Sequence, residues 1–505
     1  MKAGAVMVLT LYGIRASGRT RGVSLRHTRS KTAPLGTTLA APKGIFLYQV
    51  PSTKYRVHQE RPWQMVTQHP GVFVTRPSLN CTVTYPAKAI PGRTMNCRRN
   101  VMISSRLFFW FFESRNDPRS SPTVIYFHGG PGGSSLYAAV SGNGGPCIVD
   151  DDGKSTSINK YSWNTHANVM YLDQPAGVGF SRGSIPENSV EAAESTFPAL
   201  SHFFASRPQY NTRVFLAGQS YAGRYIPPLA TKLMENRSFV RLEGILLGNP
   251  TIAPEIEWCH HPRMLLIEGI ISAKEYARVN AEAKDCVRLV HECKLLRETL
   301  DPSTQETYQD TCDRARRKLF NDLLGPAIRA GRQTSNLDKE YVPSEDDPVV
   351  KKVESFMNSE TVQRFLEVDS VWQHFSWDVY YKFACDIPRS YHHFLPDLLH
   401  SGLRVLVYAG DRDLICNWVS NLASVMALPW KGGSTLRRSV PAVYRLPDGR
   451  PIGDLRASTL PDTGGQLIFL KVRGAGHSVA MDAPEQALKM FDDFLSNQAT
   501  LASIC

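Results

Sequence analysis

Three residues that are far apart in the chain have types suited to nucleophilic catalysis. The first, Ser220, follows the apolar run Val214–Ala217 and lies between Gly218 and Gly223. A sharp turn from a strand into a helix projects such a hydroxyl clear of a sheet, and flanking glycines avoid collisions there. A serine hydroxyl is a poor nucleophile until a base takes its proton. The pattern therefore requires a histidine that is held by a carboxylate.

The chain supplies both partners in later strand-end turns. Asp411 and Asp413 follow the apolar run Arg404–Tyr408, and His477 follows Leu467–Val472. The order serine, acid, histidine is that of α/β-hydrolases. Each residue alone could be an ordinary turn residue, but the three together favour catalysis. We predict a triad of Ser220, Asp413 and His477, with Asp411 stabilising its turn instead.

A glycine-rich loop supplies the other half of the predicted machinery. It runs His128-Gly-Gly-Pro-Gly-Gly133 and follows another apolar run. Backbone N–H groups in such a loop can approach a developing oxyanion closely, and the residue after the nucleophile supplies a second donor. We predict that the amides of Gly130 and Tyr221 form this oxyanion hole. A phosphate-binding loop is the alternative, but neither GK[ST] nor GxGxxG is present here.

The elements that must position these residues are short apolar runs with little alternation. Such runs are typical of central strands buried on both faces of a mostly parallel sheet, and helical stretches fall between them. The sequence therefore predicts an α/β-hydrolase fold with a mostly parallel central sheet flanked by helices. The predicted strands are Leu107–Phe112, Thr123–His128, Asn168–Leu172, Val214–Ala217, Gly244–Leu247, Arg404–Tyr408 and Leu467–Val472, with helices at Asn188–Ser206 and Glu485–Leu495. The helix after Ser220 is expected to be interrupted early by Pro227 and Pro228.

Between about residues 252 and 396 the alternation of apolar strands and helices stops. The stretch is more charged, leans towards helix at Ser272–Leu300 and Cys312–Leu324, and is rich in cysteine. We expect a helical, disulfide-rich cap insertion that controls substrate access. A smaller second insertion is expected around Trp430–Gly465.

Composition excludes two classes of protein. The chain has 505 residues, of which 42% are hydrophobic and 21% charged, with a net charge of +12. Much of the positive excess lies in the first sixty residues, so it does not predict a nucleic-acid partner. The sequence contains no run of eighteen or more apolar residues, so it predicts no membrane-spanning helix.

The N-terminal region and the cysteines indicate the secretory pathway. Residues 1–18 are interpreted as a signal peptide, residues 19–60 as a low-structure extension or propeptide, and residues 61–505 as the hydrolase domain with its cap. An organellar transit peptide is the alternative. Ten cysteines without metal-type spacing suggest disulfides and an oxidising compartment. Sequons at Asn80 and Asn236 are predicted glycosylation sites. Together these features predict a secreted or vacuolar protein.

At its motifs the chain resembles the serine carboxypeptidase family, especially fungal members. The resemblance covers roughly residues 105 to 495. The similar segments include Phe109–Ser114, Gly129–Ser135, Gly144–Cys147, Tyr161–Asn164, Tyr171–Ser181, Gly218–Gly223, Ala409–Trp418, Leu428–Trp430 and Gly476–Pro484. It implies release of C-terminal amino acids from peptides through an acyl-enzyme on Ser220. It also implies peptide substrates, a monomer or homodimer, and no metal or organic cofactor.

Three departures from the family pattern fall together. The family usually has Asn where this chain has His128, and Glu where it has Asn143 and Gln219. In the family these positions, with Gly129, recognise the terminal carboxylate of the substrate, and the two acids share a proton. Such a pair favours acidic working pH, whereas amides present N–H donors at every pH. We hypothesise that protonated His128 adds attraction for the carboxylate and that acid dependence is weakened.

Two other functions remain open at this point. An esterase or acyltransferase would use the same triad, and the altered carboxylate positions favour that reading. A catalytically silent binding protein would keep only the scaffold, but the intact triad argues against it.

Overall fold

A computed structural model describes residues 69–75, 105–237 and 240–496 of the chain. The predicted signal peptide, the extension and the sequon at Asn80 lie outside these residues and stay predictions.

A large twisted sheet organises the described part of the chain. The strands are β1 (His69–Thr75), β2 (Ser105–Phe112), β3 (Thr123–Phe127), β4 (Cys147–Val149), β5 (Thr156–Ile158), β6 (Asn168–Leu172), β7 (Arg182–Gly183), β8 (Val214–Gln219), β9 (Leu242–Gly248), β10 (Arg332–Gln333), β11 (Asn336–Glu340), β12 (Arg404–Gly410), β13 (Ala442–Arg445), β14 (Pro451–Thr459) and β15 (Gln466–Val472). The order across the large sheet is β1-β2-β6-β3-β8-β9-β12-β15-β14-β13, with β7 paired to β2. From β6 to β15 every neighbouring pair is parallel. The prediction of a mostly parallel central sheet is therefore confirmed.

Helices cover both faces of this sheet. They are α1 (Ser135–Val140), α2 (Ser189–Ser206), α3 (Ala222–Glu235), α4 (Pro254–Glu257), α5 (His261–Ile267), α6 (Ala273–Glu298), α7 (Gln305–Lys318), α8 (Gly325–Arg329), α9 (Pro348–Met357), α10 (Glu360–Phe365), α11 (Trp377–Lys382), α12 (Leu395–His400), α13 (Trp418–Ala427), α14 (Gly433–Arg438), α15 (Val479–Asp482) and α16 (Pro484–Ser496). Phe215 and Leu216, neighbours in β8, belong to separate apolar clusters on the two faces. Burial on both faces is why the central strands are apolar without alternation. None of the helices in this described part combines the length and apolarity that crossing a bilayer requires.

One local prediction was wrong. Helix α3 runs through Pro227 and Pro228 without interruption. Both prolines are buried, and tertiary packing against α2 and the sheet compensates for the backbone hydrogen bonds that they cannot make. Around Trp430–Gly465, where a second insertion was predicted, β13 and β14 extend the large sheet as antiparallel edge strands.

The segment between β9 and β12 contains α4 to α12 and the short β10–β11 hairpin. The Cys293–Cys312 disulfide joins α6 to α7. The expectation of a disulfide-rich segment was too strong, because Cys259, Cys286 and Cys385 are free thiols. Cys286 is instead buried in the apolar core, where cysteine packs as a small hydrophobic residue.

Candidate active site

Ser220 occupies a strained turn between β8 and α3. Its φ is +62°, a left-handed conformation that a non-glycine residue adopts only when its surroundings hold it there. Its amide donates to the Gly248 carbonyl at 2.9 Å, and its carbonyl accepts from the Thr251 amide at 3.1 Å. A Cβ on Gly218 would lie 2.5 Å from that of Ala222, so a side chain there would push the helix away. The turn leaves the half-buried Ser220 side chain at the carboxyl end of the parallel strands.

The predicted acid and base lie in contact at the same edge of the sheet. Asp413 is fully buried, and its Oδ2 lies 2.7 Å from His477 Nδ1. The His477 amide donates to the Ser335 carbonyl at 2.7 Å, so the β10–β11 hairpin supports the histidine turn. Asp411 accepts instead from the Gly474 amide at 2.8 Å. Asp413, and not Asp411, is therefore the aspartate in contact with the imidazole.

Three further donors hold the Asp413 carboxylate in place. Asn249 Nδ2 donates to its Oδ2 at 2.8 Å, and the amides of Ile415 and Cys416 donate to Oδ1 and Oδ2 at 2.9 and 3.2 Å. Asn249 has a φ of +40° and follows β9 directly. A carboxylate so surrounded is fixed in orientation, and it in turn fixes the imidazole ring.

The buried thiol of Cys416 lies near the Ser220 side chain and the Asp413–His477 pair. Its sulfur, an Asp413 oxygen and a His477 ring nitrogen all lie within 4.8 Å of one another. Such a set of donors could bind a metal ion, yet the Asp413–His477 hydrogen bond already accounts for the closest of these contacts. Burial raises the pKa of Cys416 well above its usual value, so the thiol stays protonated beside Ser220.

The predicted oxyanion donors are available for a ligand. Within the described residues, neither the Gly130 nor the Tyr221 backbone amide is used by an intramolecular hydrogen bond. Gly129 allows the two segments to meet, because a Cβ there would lie 2.6 Å from that of Ser220 and 2.7 Å from the Tyr221 nitrogen. The absence of a side chain at Gly129 is thus what brings the glycine loop against the nucleophile turn.

A buried pair of amides lies beside this turn. Asn143 Nδ2 donates to Gln219 Oε1 at 2.9 Å and to the Tyr126 hydroxyl at 3.3 Å. Gln219 Nε2 donates to Ser478 Oγ at 3.1 Å, next to His477. Asn143 and Gln219, two of the predicted carboxylate-recognition residues, are therefore hydrogen-bonded to each other, and one N–H of Gln219 is left over.

His128 is half-buried, and its ring centroid lies 6.5 Å from that of Tyr126, whose hydroxyl accepts from Asn143. Desolvation, followed by the neighbouring His477 and His374, lowers its pKa to about 3. Its Nδ1 is buried and has no hydrogen-bond partner among the described residues. A pKa this low favours the neutral ring at neutral pH in the ligand-free protein, and the charge attraction hypothesised for protonated His128 stays a prediction.

Asn249 and Cys416 were missed by the sequence reasoning. Asn249 comes two residues after the predicted strand Gly244–Leu247, whose end lies at the same sheet edge as Ser220, and that position was a usable signal. Cys416 is three residues beyond Asp413, but nothing in its spacing marks it as a neighbour of Ser220.

Comparisons with known proteins agree with this geometry. A family model described as serine carboxypeptidase matches residues 100–497. Carboxypeptidase Y homolog A of Phaeosphaeria nodorum is 31% identical over 408 residues, which is 78% of this chain and 71% of that protein. Carboxypeptidase Y of Komagataella phaffii is 33% identical over 404 residues, or 77% of this chain and 73% of that one. Among solved structures, a prohormone-processing carboxypeptidase from Saccharomyces cerevisiae superimposes with a TM-score of 0.66 at 21% identity, covering 85% of this chain and 92% of its own.

Proposed function

This chain belongs to the serine carboxypeptidase family and is a serine carboxypeptidase that acts on peptides, and on that premise we propose that its reaction runs through an acyl-enzyme on Ser220. The observation that carries the proposal is the 2.7 Å contact between Asp413 and His477 beside the strained Ser220 turn. With Nδ1 facing Asp413, the Nε2 atom of His477 is the one left to accept the serine proton.

The proposed reaction has two halves. The Ser220 hydroxyl attacks the last peptide carbonyl while His477 takes its proton, and the Gly130 and Tyr221 amides stabilise the oxyanion. The C–N bond then breaks, His477 protonates the leaving amine, and the C-terminal amino acid departs. Water, deprotonated by the same imidazole, attacks the acyl ester and regenerates Ser220.

We propose that neutral donors recognise the substrate's terminal carboxylate. Gln219 has an unused N–H, and the Gly129 segment lies against the nucleophile turn. His128 contributes as a neutral ring, since its pKa of about 3 removes the positive charge. Such a site needs no shared proton between acids, so its affinity does not depend on acidic pH.

The inserted segment between β9 and β12 is proposed to cap the site. The Ser376 amide donates to the Gly132 carbonyl at 2.8 Å, and the Ser134 amide donates to the His374 carbonyl at 2.9 Å. Phe375, between them, pairs with Gly133 as a short bridge. These contacts place inserted residues against the glycine loop, where they would shape the pocket for the substrate.

We further propose that the protein matures in the secretory pathway. The Cys293–Cys312 disulfide supports an oxidising compartment. Asn236, the proposed glycosylation site among the described residues, ends α3 and is partly exposed.

A matched pair of substrates tests the reaction. Benzyloxycarbonyl-Phe-Leu and benzyloxycarbonyl-Phe ethyl ester carry the same acyl group but differ in the leaving group. We expect free leucine from the first and sequential shortening of longer peptides from their C-termini, followed by mass spectrometry. Turnover of the ester with no release of leucine would instead support an esterase.

The pH dependence of KM tests the neutral carboxylate site. For benzyloxycarbonyl-Phe-Leu we expect KM to change less than about threefold between pH 4 and pH 8, because His128, with a pKa of about 3, is already neutral throughout. KM is the quantity to measure because it reports binding at the carboxylate site, whereas ionisation of the catalytic base acts on kcat.

The control is the double variant N143E/Q219E, which installs two carboxyls where the amides are now 2.9 Å apart. Two such acids share one proton, and the pKa of the pair is raised. Tight binding should therefore be present at low pH and lost as pH rises and both acids ionise, with KM increasing about tenfold or more. A wild-type KM that already rises in this carboxyl-like way would contradict the proposal.

A further inference from the structure

One buried carboxylate joins three distant parts of the chain beneath the nucleophile turn. Asp386, in the inserted segment after α11, has 2% exposure. Its Oδ2 accepts from the amide and hydroxyl of Ser189 at 3.1 and 2.7 Å, and from the Tyr221 hydroxyl at 2.6 Å. Its Oδ1 accepts from the Tyr391 hydroxyl at 2.6 Å. A buried carboxylate with several strong donors is held in a single geometry.

The bond to Tyr221 matters because Tyr221 directly follows Ser220. The Tyr221 ring is buried, with its centroid 5.0 Å from that of Tyr225 and 6.2 Å from that of Phe383. Burial and the Asp386 charge raise the pKa of Tyr221 well above its usual value, so its hydroxyl remains a donor. The ring is thus packed against two aromatic neighbours and hydrogen-bonded at its far end, which leaves its backbone amide little freedom to move.

Arg224 reinforces the same connection from the first turn of α3. This buried guanidinium lies 4.9 Å from the centre of the Tyr221 ring and donates to the backbone carbonyls of Asp386 and Ile387. It also donates to Thr251 Oγ1 at 2.9 Å. The inserted segment is therefore joined to this part of the chain by two sets of hydrogen bonds, one from the Tyr221 hydroxyl and one from the Arg224 guanidinium.

We propose that Asp386 is a positioning residue which, through the Tyr221 hydroxyl, holds the Tyr221 amide at the place of the oxyanion. The inference rests on the proposed function, in which that amide is an oxyanion donor. Asp386 is too deeply buried to contact the substrate, so it acts on the oxyanion donor through Tyr221. Displacing one donor by a fraction of an ångström reduces stabilisation of the transition state more than binding of the substrate.

Tyr391 provides a matched control. Y221F and Y391F each remove one phenol-to-carboxylate hydrogen bond of 2.6 Å from the same Asp386, but only Tyr221 adjoins Ser220. We expect Y221F to lower kcat about tenfold with KM within twofold, and D386N to lower it at least as much. We expect Y391F to keep kcat within about twofold. Melting temperatures measured for all three variants report how much folding stability each substitution removes.

Two further measurements separate positioning from general damage. Binding of the aldehyde benzyloxycarbonyl-phenylalaninal, which forms a tetrahedral adduct with the serine, should weaken with Y221F in parallel with kcat/KM and should not change with Y391F. Combining D386N with Y221F should lower kcat no further than the stronger single variant does. Equal kcat losses in Y221F and Y391F, or additive losses in the double variant, would overturn the inference. A wild-type protein that releases no C-terminal amino acid would refute the proposed function instead.

Discussion

Replacing Ser220 by alanine is expected to lower kcat for benzyloxycarbonyl-Phe-Leu by about 10⁶-fold, with KM nearly unchanged. Losing the nucleophile of a serine triad has an effect of this size, because the remaining imidazole and carboxylate cannot act alone. At about 1.4 kcal/mol per factor of ten, the loss corresponds to roughly 8 kcal/mol of transition-state stabilisation. Leucine release measured by amino-acid analysis has the range to detect it. Labelling by a fluorophosphonate should disappear at the same time.

The control for this variant is S206A. Ser206 ends α2, and its hydroxyl donates to the Phe203 carbonyl at 3.0 Å and accepts from the exposed Arg207 at 3.1 Å. Its removal should leave kcat within about twofold and labelling intact. If S220A kept more than about 1% of the activity, or were still labelled, then Ser220 would not be the nucleophile. Contaminating hydrolase activity is excluded by purifying S220A and S206A side by side.

The strands could be predicted from the sequence because their side chains are buried on both faces of the sheet. Residues of β8 pack into apolar clusters on both sides of the sheet, so the run Val214–Ala217 is apolar throughout and its turn is visible. The structure lengthens this strand only to Gln219. Ser220, Asp413 and His477 could be predicted to lie at one edge of the sheet because each follows such a strand, and parallel strands bring their carboxyl ends to one edge.

The remainder depends on contacts that no local pattern encodes. Asp386 is 165 residues from Tyr221 along the chain, and a lone aspartate within an irregular segment predicts nothing about its partner. Likewise, His128 is a histidine whose charge depends on desolvation and on two other histidines, His374 and His477. Such properties are set by packing between distant segments, so they emerge only once the sheet and its insertion are assembled.

Replacing Asp413 by asparagine is expected to lower kcat by about 10⁴-fold while leaving the fold intact. The carboxylate now accepts hydrogen bonds from His477, from Asn249 and from two backbone amides. An asparagine must direct its NH₂ group at one of these sites. Directed at His477, it would force Nδ1 to accept and place the proton on Nε2, where the imidazole could no longer take the proton of Ser220. The measurement is kcat for benzyloxycarbonyl-Phe-Leu, together with the rate of fluorophosphonate labelling.

Asp411 offers a matched substitution two residues earlier in the same turn. Its Oδ1 accepts from the Gly474 amide and it lies 3.4 Å from Arg412, so D411N alters charge and hydrogen bonding at the same sheet edge without touching the imidazole. We expect D411N to retain kcat within about threefold. A common loss in both variants would mean that the turn, rather than the Asp413 carboxylate, supports catalysis. A large loss in D413N alone would show that the oriented imidazole is the group on which the reaction depends.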